Sequence, residues 1–537
     1  MKEQVSGGAA VVDALAAHGV TDVFGIPGTH NLEIYRYLPA SGIRHVVTRH
    51  EQGAGYAADG FARVSGSPGV VITTSGPGIT NAITALATAY ADSIPVLAIS
   101  PGPLRGTVGR DIGWLHELKN QQAALASVCE TSIRVESAEE IPVAIASAFA
   151  SFATGRPRPV HIEIPVDVLE GSWTRTTVEV QEHPVRAPSS PITGIVDALE
   201  GATRPLLIAG GGARRASGPI LALANRGLRV LTTVNGKGVL DEGHASALGA
   251  SIRLSAAHSL ANEADVLIIV GSELGDSDLW GGTIAPGGDD RKIIRIDIDR
   301  AQLHKNVDAD IAVQGDANSV LHDIAQSLEE RKVEWTSTTD ADRQLITIDA
   351  LRDAGPWALI QQVLCDAMPP GTVIAGDSSQ VTYYGTVHFW PFNPDNRLLY
   401  PTGYATLGYG LPAAIGAKIA DPGRPVIVLV GDGAAMFSIQ ELITATELQL
   451  PLPVVIVDNG GYAEIREQML ERGIEPQAVD LYRPDMVGLA RAIGAFGVEA
   501  KHVTDIGALA REALLADRPT VIYHSVHSGR SIDPRRL

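Results

Sequence analysis

The chain has 537 residues, which at roughly 150 residues per domain argues for three or four compact units and excludes a single small binding module. Its 42 basic and 61 acidic side chains leave a formal charge of −19, a balance that repels phosphate backbones and anionic headgroups and so speaks against nucleic acid and membrane surfaces as partners. A hydrophobic fraction of 45% with 19% charged residues is too apolar for disorder. The two cysteines, Cys129 and Cys365, cannot build a disulfide framework or a metal cluster by themselves and fit a reducing cytoplasm. The stretch Met1 to Gly8 has no basic region followed by an apolar one, and no run of about 18 apolar residues occurs, so neither an export signal nor a membrane span is expected.

Short apolar runs alternate with longer helix-like segments, the pattern of strand-helix-strand units in parallel sheets. In a first block, residues 1–170, Asp22–Phe24, His45–Thr48, Val70–Thr73 and Val96–Ile99 are expected as buried strands and the Ala-rich Thr80–Ala91 as a helix. Gly171–Pro191 turns polar and proline-containing and is expected as a linker. A second block, residues 190–332, carries the apolar runs Pro205–Ile208, Val266–Val270 and Ile293–Asp297, and the polar stretch Arg331–Asp342 closes it. The third block, residues 355–537, begins near Pro356 and holds the strongest strands, Val426–Val430 and Val454–Val457, with further α/β text up to Tyr523. No short tandem repeat is visible. The fold class is α/β, three doubly wound parallel sheets in series.

The sharpest local signal is Gly431-Asp432-Gly433 immediately after one strand, followed 27 positions after Asp432 by Asn459 immediately after the next. Both polar side chains fall on the carboxyl edge of one parallel sheet, where open α/β sheets bind ligands. Ser438–Leu450 between them reads as the crossover helix, with Ile439, Leu442, Ile443 and Leu450 toward the sheet. A carboxylate, an amide oxygen and the Gly461 carbonyl form an incomplete set of hard oxygen ligands, which suits Mg²⁺ completed by water and phosphate. Gly433 would let a phosphate approach the backbone, and the N–H groups opening the next helix would favour its charge. Read alone, Gly-Asp-Gly and Asp458 to Gly461 are also ordinary turn chemistry.

The stretch from Gly431 to Gly461 resembles the diphosphate-binding motif of thiamine-diphosphate-dependent enzymes, which opens with Gly-Asp-Gly and closes with Asn-Asn; here Asp458 stands at the first closing position. That resemblance implies Mg²⁺ on Asp432, Asn459 and the Gly461 carbonyl, with Gly431, Gly433, Ala434 and Gln380 in the cofactor-binding set. Thiamine chemistry also needs a carboxylic acid on the aminopyrimidine ring. Glu51, in Arg49-His50-Glu51-Gln52-Gly53-Ala54, resembles the family's glutamate motif, and Thr74 to Asn81, with Thr74, Gly76 and Asn81, is similar to its glycine-rich loop. Taken alone, Glu51 is a first-turn glutamate favoured by the helix dipole. Gly403 to Pro412 resembles the segment that bends the cofactor: Leu407 takes the wedge position, and Ala405 stands where the family commonly has glycine, with its carbonyl preserved.

The resemblance covers nearly the whole chain in the order pyrimidine-binding, central and diphosphate-binding domain, and looks most like the acetolactate synthase branch. Two histidines bear on the reaction. His30 has a counterpart in benzaldehyde lyase and in 5-guanidino-2-oxopentanoate decarboxylases, and Leu115-His116-Glu117-Leu118 resembles a stretch of the latter. Either imidazole could carry a proton, or be structural. A carboxylate at Glu464 would suit a cationic substrate tail, although a solvent-facing helix position is the plainer reading. The central Ala209-Gly210-Gly211-Gly212-Ala213-Arg214-Arg215 departs from the dinucleotide fingerprint at Arg215, and Gly236-Lys237-Gly238 is no phosphate loop, so no catalytic FAD is expected, a retained but inert one being the alternative. The resemblance implies thiamine diphosphate- and Mg²⁺-dependent, non-oxidative decarboxylation of a small 2-oxo acid to an aldehyde, with carboligation of acetolactate synthase type as the alternative. It also implies a cytoplasmic homodimer or homotetramer with active sites at the subunit interface.

Overall fold

The structure, a computed structural model, describes residues 3–178, 180, 192–333, 335 and 338–526. Three parallel sheets follow one another along the chain. The first has six strands in the spatial order Arg44–Val47, Asp22–Gly25, Gly69–Ile72, Val96–Gly102, Val160–Pro165, Thr131–Arg134. The second has five, Arg229–Thr232, Leu206–Ala209, Val266–Val270, Lys292–Asp297, Ile311–Gln314. The third has six, Arg397–Leu399, Val373–Gly376, Val426–Gly431, Pro453–Asp458, Thr520–Ser525, Phe496–Glu499. Numbered by chain order within each sheet, the first and third share one topology, 2-1-3-4-6-5. The fold is therefore duplicated where the sequence shows no repeat. Continuous apolar runs such as Val426–Val430 are buried along their whole length, as strands covered on both faces must be. Among the described residues no helix is long and apolar enough to cross a membrane.

The chain forms two compact units: Met1–Pro184 with Tyr404–Gly423 and Ser438–Leu450, and Val185–Gly403 with Arg424–Phe437 and Pro451–Leu537. Two segments of the third block by sequence therefore belong with the first sheet. The attachment of one of them is a helix crossing without side chains. A Cβ on Gly60 of the helix Glu51–Ser65 would lie 2.1 Å from Ala413 O, and one on Gly416 of the helix Gly410–Ala420 would lie 1.8 Å from Ala57 O. Beside the crossing, Arg63 Nε donates to Asp59 Oδ1 at 2.7 Å, Arg63 Nη2 to Asp92 Oδ2 at 2.8 Å, and Tyr409 Oη to Asp59 Oδ1 at 2.5 Å. All of these side chains are buried, so one guanidinium is shared by two carboxylates and each buried charge has a partner, as burial requires.

Three expectations need correction. The linker Gly171–Pro191 begins as structure: Ser172–Thr174 pairs antiparallel with Gln4–Ser6, and Trp173 enters the first core. A single tryptophan in a polar stretch has no periodicity to reveal it, and residues 181–191 lie outside those described. The stretch Arg331–Asp342 likewise buries Trp335, whose indole N–H donates to Leu199 O at 2.9 Å. Its end is helical, because a Thr339/Asp342 capping box opens the helix Asp340–Leu351. The crossover helix spans only Glu441–Glu447, with Leu442 buried, Ile443 exposed and Leu450 half-buried beyond its end. Tight turns at Ser438–Gln440 precede it, and Gln449 at φ +52° follows it.

In the central sheet the glycines are used for packing. Gly210 N donates to Val270 O at 2.8 Å and Gly212 N to Gly271 O at 3.0 Å. Lys237 is buried between Glu242, at 2.7 Å, and the Val387 carbonyl, at 3.0 Å.

Gly416→Ala is expected to lower unfolding free energy by about 1–3 kcal/mol or more through overpacking at the helix crossing, read from urea denaturation at constant m-value.

Candidate active site

In a 2-1-3-4-6-5 sheet the connections diverge between the first and third strands, and that switch point is where the carboxyl edge opens. In the first sheet the loops there carry His30, after Asp22–Gly25, and Thr74, Ser75 and Gly76, after Gly69–Ile72. In the third sheet the equivalent loops carry Gln380, after Val373–Gly376, and Asp432, after Val426–Gly431. Glu51 and Asn459 follow the neighbouring strands, Arg44–Val47 and Pro453–Asp458. The candidate residues thus fall into two groups, one in each compact unit.

In the first unit Glu51 opens its helix and is buried, and Asn81 Nδ2 donates to Glu51 Oε2 at 2.9 Å. A Cβ on Gly78 would lie 3.5 Å from Glu51 Oε1. The loop before Glu51 is fixed by Glu441, the first residue of the helix Glu441–Glu447. Glu441 accepts from Arg49 N at 3.1 Å, His50 N at 3.0 Å and Thr444 Oγ1 at 2.8 Å. Fully buried, its carboxyl is pushed above the ordinary range by that burial, and these donors oppose the shift.

His30 and His116 meet at Ser75. His30 Nδ1 lies 2.6 Å from Ser75 Oγ, and His116 Nδ1 lies 3.4 Å from the same oxygen. The two rings are edge-on at 5.2 Å, and Trp114 stacks on His30 at 4.4 Å. Burial, and then the nearby His116, hold the His30 ring below its ordinary value, so His30 is neutral near pH 7. His116 sits at φ +65°, and its backbone reaches the loop because position 76 is glycine: a Cβ there would lie 2.5 Å from His116 O. Gly76 N donates to Gln121 Oε1 at 2.9 Å, and Gln121 Nε2 donates on to Glu163 Oε2 at 3.1 Å. Ser75 lies within the glycine-rich loop without a role of its own in that resemblance, and only the fold brings it to the histidines and Gln121 to Gly76. Thr74 packs on Gly28, where a Cβ would lie 2.7 Å from its own.

The segment before the helix Gly410–Ala420 belongs to the same unit, with Ala405 exposed and Leu407 half-buried. Ala405 adopts φ +53°, a conformation in which a Cβ costs about 1–2 kcal/mol. The glycine of the family pattern is therefore replaced at a position whose backbone still asks for glycine.

In the second unit Asp432 is buried at the start of a single helical turn, Asp432–Ala435, which also contains Gly433 and Ala434. Gly431 N donates to Ser379 Oγ at 3.0 Å, and a Cβ on Gly433 would lie 2.9 Å from the Tyr462 ring. Gly461, at φ +107°, turns its carbonyl inward, and a Cβ there would strike Val479 O at 2.5 Å. The end of the Asn459 amide that faces this carbonyl lies 3.2 Å from it and 3.2 Å from Asp432 Oδ1. The other end lies 2.8 Å from Gln380 Oε1 and donates to it. Gln380 must present its oxygen there, because its Nε2 donates to Glu464 Oε2 at 3.1 Å and Glu467 Oε2 at 3.0 Å, and carboxylates only accept. The Asn459 amide oxygen therefore stands from Asp432 Oδ1 and from the Gly461 carbonyl oxygen at the spacing of neighbouring ligands in an octahedron of about 2.1 Å radius, about 3 Å. The donor set fits a hard divalent cation. Asp458 turns away, accepting from Gly460 N at 2.8 Å and from Tyr523 Oη and facing Arg483 Nε at 3.4 Å. Those partners account for an acid where the family pattern has asparagine. Glu464, on the helix Ala463–Glu471, is half-buried rather than solvent-facing: Tyr383 Oη donates to it at 2.9 Å and Gln468 Nε2 at 2.9 Å.

Comparison with known proteins identifies the family over most of the chain. Three family profiles match: the N-terminal TPP binding domain of thiamine pyrophosphate enzymes over residues 5–124, their central domain over 192–324 and their C-terminal TPP binding domain over 377–524. The chain is 40% identical over 522 residues to a protein of Pseudomonas aeruginosa named probable 2-ketoarginine decarboxylase, covering 95% of this chain and 92% of that one. It is 34% identical over 543 residues to the acetolactate synthase isozyme 2 large subunit of Escherichia coli, covering 98% and 96%. A probable acetolactate synthase large subunit of Methanocaldococcus jannaschii is 34% identical over 553 residues, covering 96% and 91%.

Ala405→Gly is expected to raise stability by up to about 1 kcal/mol, the left-handed strain relieved less the entropy of glycine, which a thermal melt would register as a higher Tm.

Proposed function

The chain belongs to the thiamine pyrophosphate enzyme family, and on that premise we propose that it decarboxylates a 2-oxo acid to an aldehyde without oxidation, with Mg²⁺ held by Asp432, Asn459 and the Gly461 carbonyl. Bound thiamine diphosphate supplies the electron sink that allows the bond to the departing carboxylate to break. Glu51 exchanges a proton with the cofactor's aminopyrimidine ring, and Asn81, bonded to Oε2, leaves Oε1 for that exchange. Leu407 is the wedge residue and the Ala405 carbonyl the acceptor in this reading. Thr74 and Gly76 complete the pyrimidine side, and Gly431, Gly433 and Ala434 line the diphosphate side.

The observation that carries decarboxylation over carboligation is the convergence of His30 and His116 on Ser75. A reaction ending in an aldehyde needs a proton delivered to carbon, and two imidazoles sharing one hydroxyl can hold and pass it. The name of the Pseudomonas aeruginosa relative puts a guanidinium-bearing 2-oxo acid first among substrates. Glu464 and Glu467, both directed at Gln380, support a cationic tail. Carboligation is the second reading, favoured by similarity to acetolactate synthases. The proposal includes a cytoplasmic homodimer or homotetramer, with sedimentation velocity as its check.

Glu51→Gln is expected to retain cofactor and lose at least about a hundredfold in turnover, since an amide cannot exchange the proton. His30→Ala and His116→Ala should each slow aldehyde release more than CO₂ release in a single turnover, by about a hundredfold for the former. Products from a panel of 2-oxo acids, with and without aldehyde acceptors, identified by mass, test the reaction itself: chiefly 2-hydroxy ketones or acetohydroxy acids would replace this reading by carboligation.

The cation has a separate signature. Burial, and then the neighbouring Asp458, push the Asp432 carboxyl up to about 6. Between the ordinary carboxylate value of about 3.9 and that value, the folded chain without a cation holds a proton that the unfolded chain has lost. Rising pH therefore withdraws stability across this window, and above it the buried charge lacks compensation. The rise in Tm on adding Mg²⁺ with thiamine diphosphate should accordingly be larger at pH 7.5 than at pH 5.

A further inference from the structure

The contact between Gln380 and Asn459 does more than fill space. An asparagine amide can meet its surroundings in two orientations that differ by exchange of oxygen and NH₂. Reversed, the Asn459 amide would donate at 3.2 Å to both Asp432 Oδ1 and Gly461 O and would present no oxygen to a cation between them. The same reversal would set its oxygen 2.8 Å from Gln380 Oε1. Gln380 cannot relieve that clash by turning over, because turning would remove its NH₂ from Glu464 and Glu467 and set its oxygen against two carboxylates. Glu464 is itself held by Tyr383 and Gln468. Gln380 is buried and immediately precedes the π-helical turn Val381–Thr386, a local form found often at functional sites.

We propose that Gln380 is a positioning residue for the cation: pinned by Glu464 and Glu467, it selects the orientation of Asn459 that turns an amide oxygen toward Asp432 and Gly461. This rests on the reading of Asp432, Asn459 and Gly461 as the cation ligands. It assigns Glu464 and Glu467 a task that does not depend on which 2-oxo acid is used. Residues that orient metal ligands in this way alter affinity by about 10–100-fold when removed.

The test is a double-mutant cycle read as Mn²⁺ affinity, by electron paramagnetic resonance of free Mn²⁺ in the presence of thiamine diphosphate. Gln380→Ala, and Gln380→Met to preserve volume, should weaken Mn²⁺ binding about tenfold in the otherwise native chain. In an Asn459→Asp background position 459 carries oxygen at both ends and has no orientation to lose, so the same changes should cost less than about twofold or tighten binding. An undiminished affinity in the native background, or an equal loss in both backgrounds, would overturn the proposal, the latter because a general loosening of the loop acts on either ligand alike. Failure of the native chain to bind Mn²⁺ at all would remove the cation reading first and this one with it.

Discussion

A parallel sheet must be covered on both faces by its own crossover helices, and this leaves the carboxyl edge as the place where polar side chains can be gathered without disturbing the core. Six of the candidate groups obey that constraint. His30, Glu51 and Ser75 leave the first sheet, and Gln380, Asp432 and Asn459 leave the third, each on the loop or at the helix start that follows a strand. The chemistry can be specialised on each edge because the strands Gly69–Ile72, Val373–Gly376 and Val426–Val430 behind it are buried along their length and need nothing from the loops for their burial.

The duplication of one topology in the first and third sheets makes the division of labour plain. The same switch point has been given imidazoles and a hydroxyl in one copy and oxygen ligands with an amide in the other. In the second, electrostatics dictates order. The end of the Asn459 amide that faces Asp432 and Gly461 lies 3.2 Å from an oxygen of each, and oxygens so close are unfavourable neighbours without a positive charge; the Asp432 carboxyl is raised separately, by its burial and then by Asp458. A chain of bonds from Glu464 and Glu467 through Gln380 holds Asn459 in that costly orientation.

The first unit reaches its precision by removing side chains. Gly76 admits His116, Gly28 admits Thr74, and Gly60 and Gly416 let two backbones touch beside the cluster of Asp59, Arg63, Asp92 and Tyr409. Tyr409 closes the short segment that carries Ala405 and Leu407. The segment is therefore tied to the helix that Glu51 opens, while Glu441 fixes the loop just before it.

By itself the sequence determined the α/β class, the long buried strands and the residues that end them. Continuous apolar runs and strand-end polar residues are local signals, and Glu51, Asp432 and Asn459 could be read one after another. It left Trp173, Trp335 and the helix Asp340–Leu351 hidden, because one buried tryptophan in a polar stretch makes no period. Only the tertiary structure decided that Ser75 joins two histidines 45 and 41 positions away, and that Gln380 links Glu464 to Asn459 across 84 and 79 positions. Only it assigned Ser438–Leu450 to the first unit. Such pairings are set by the order of strands in a sheet and by which amide end meets which oxygen, and neither is written in any local stretch of residues.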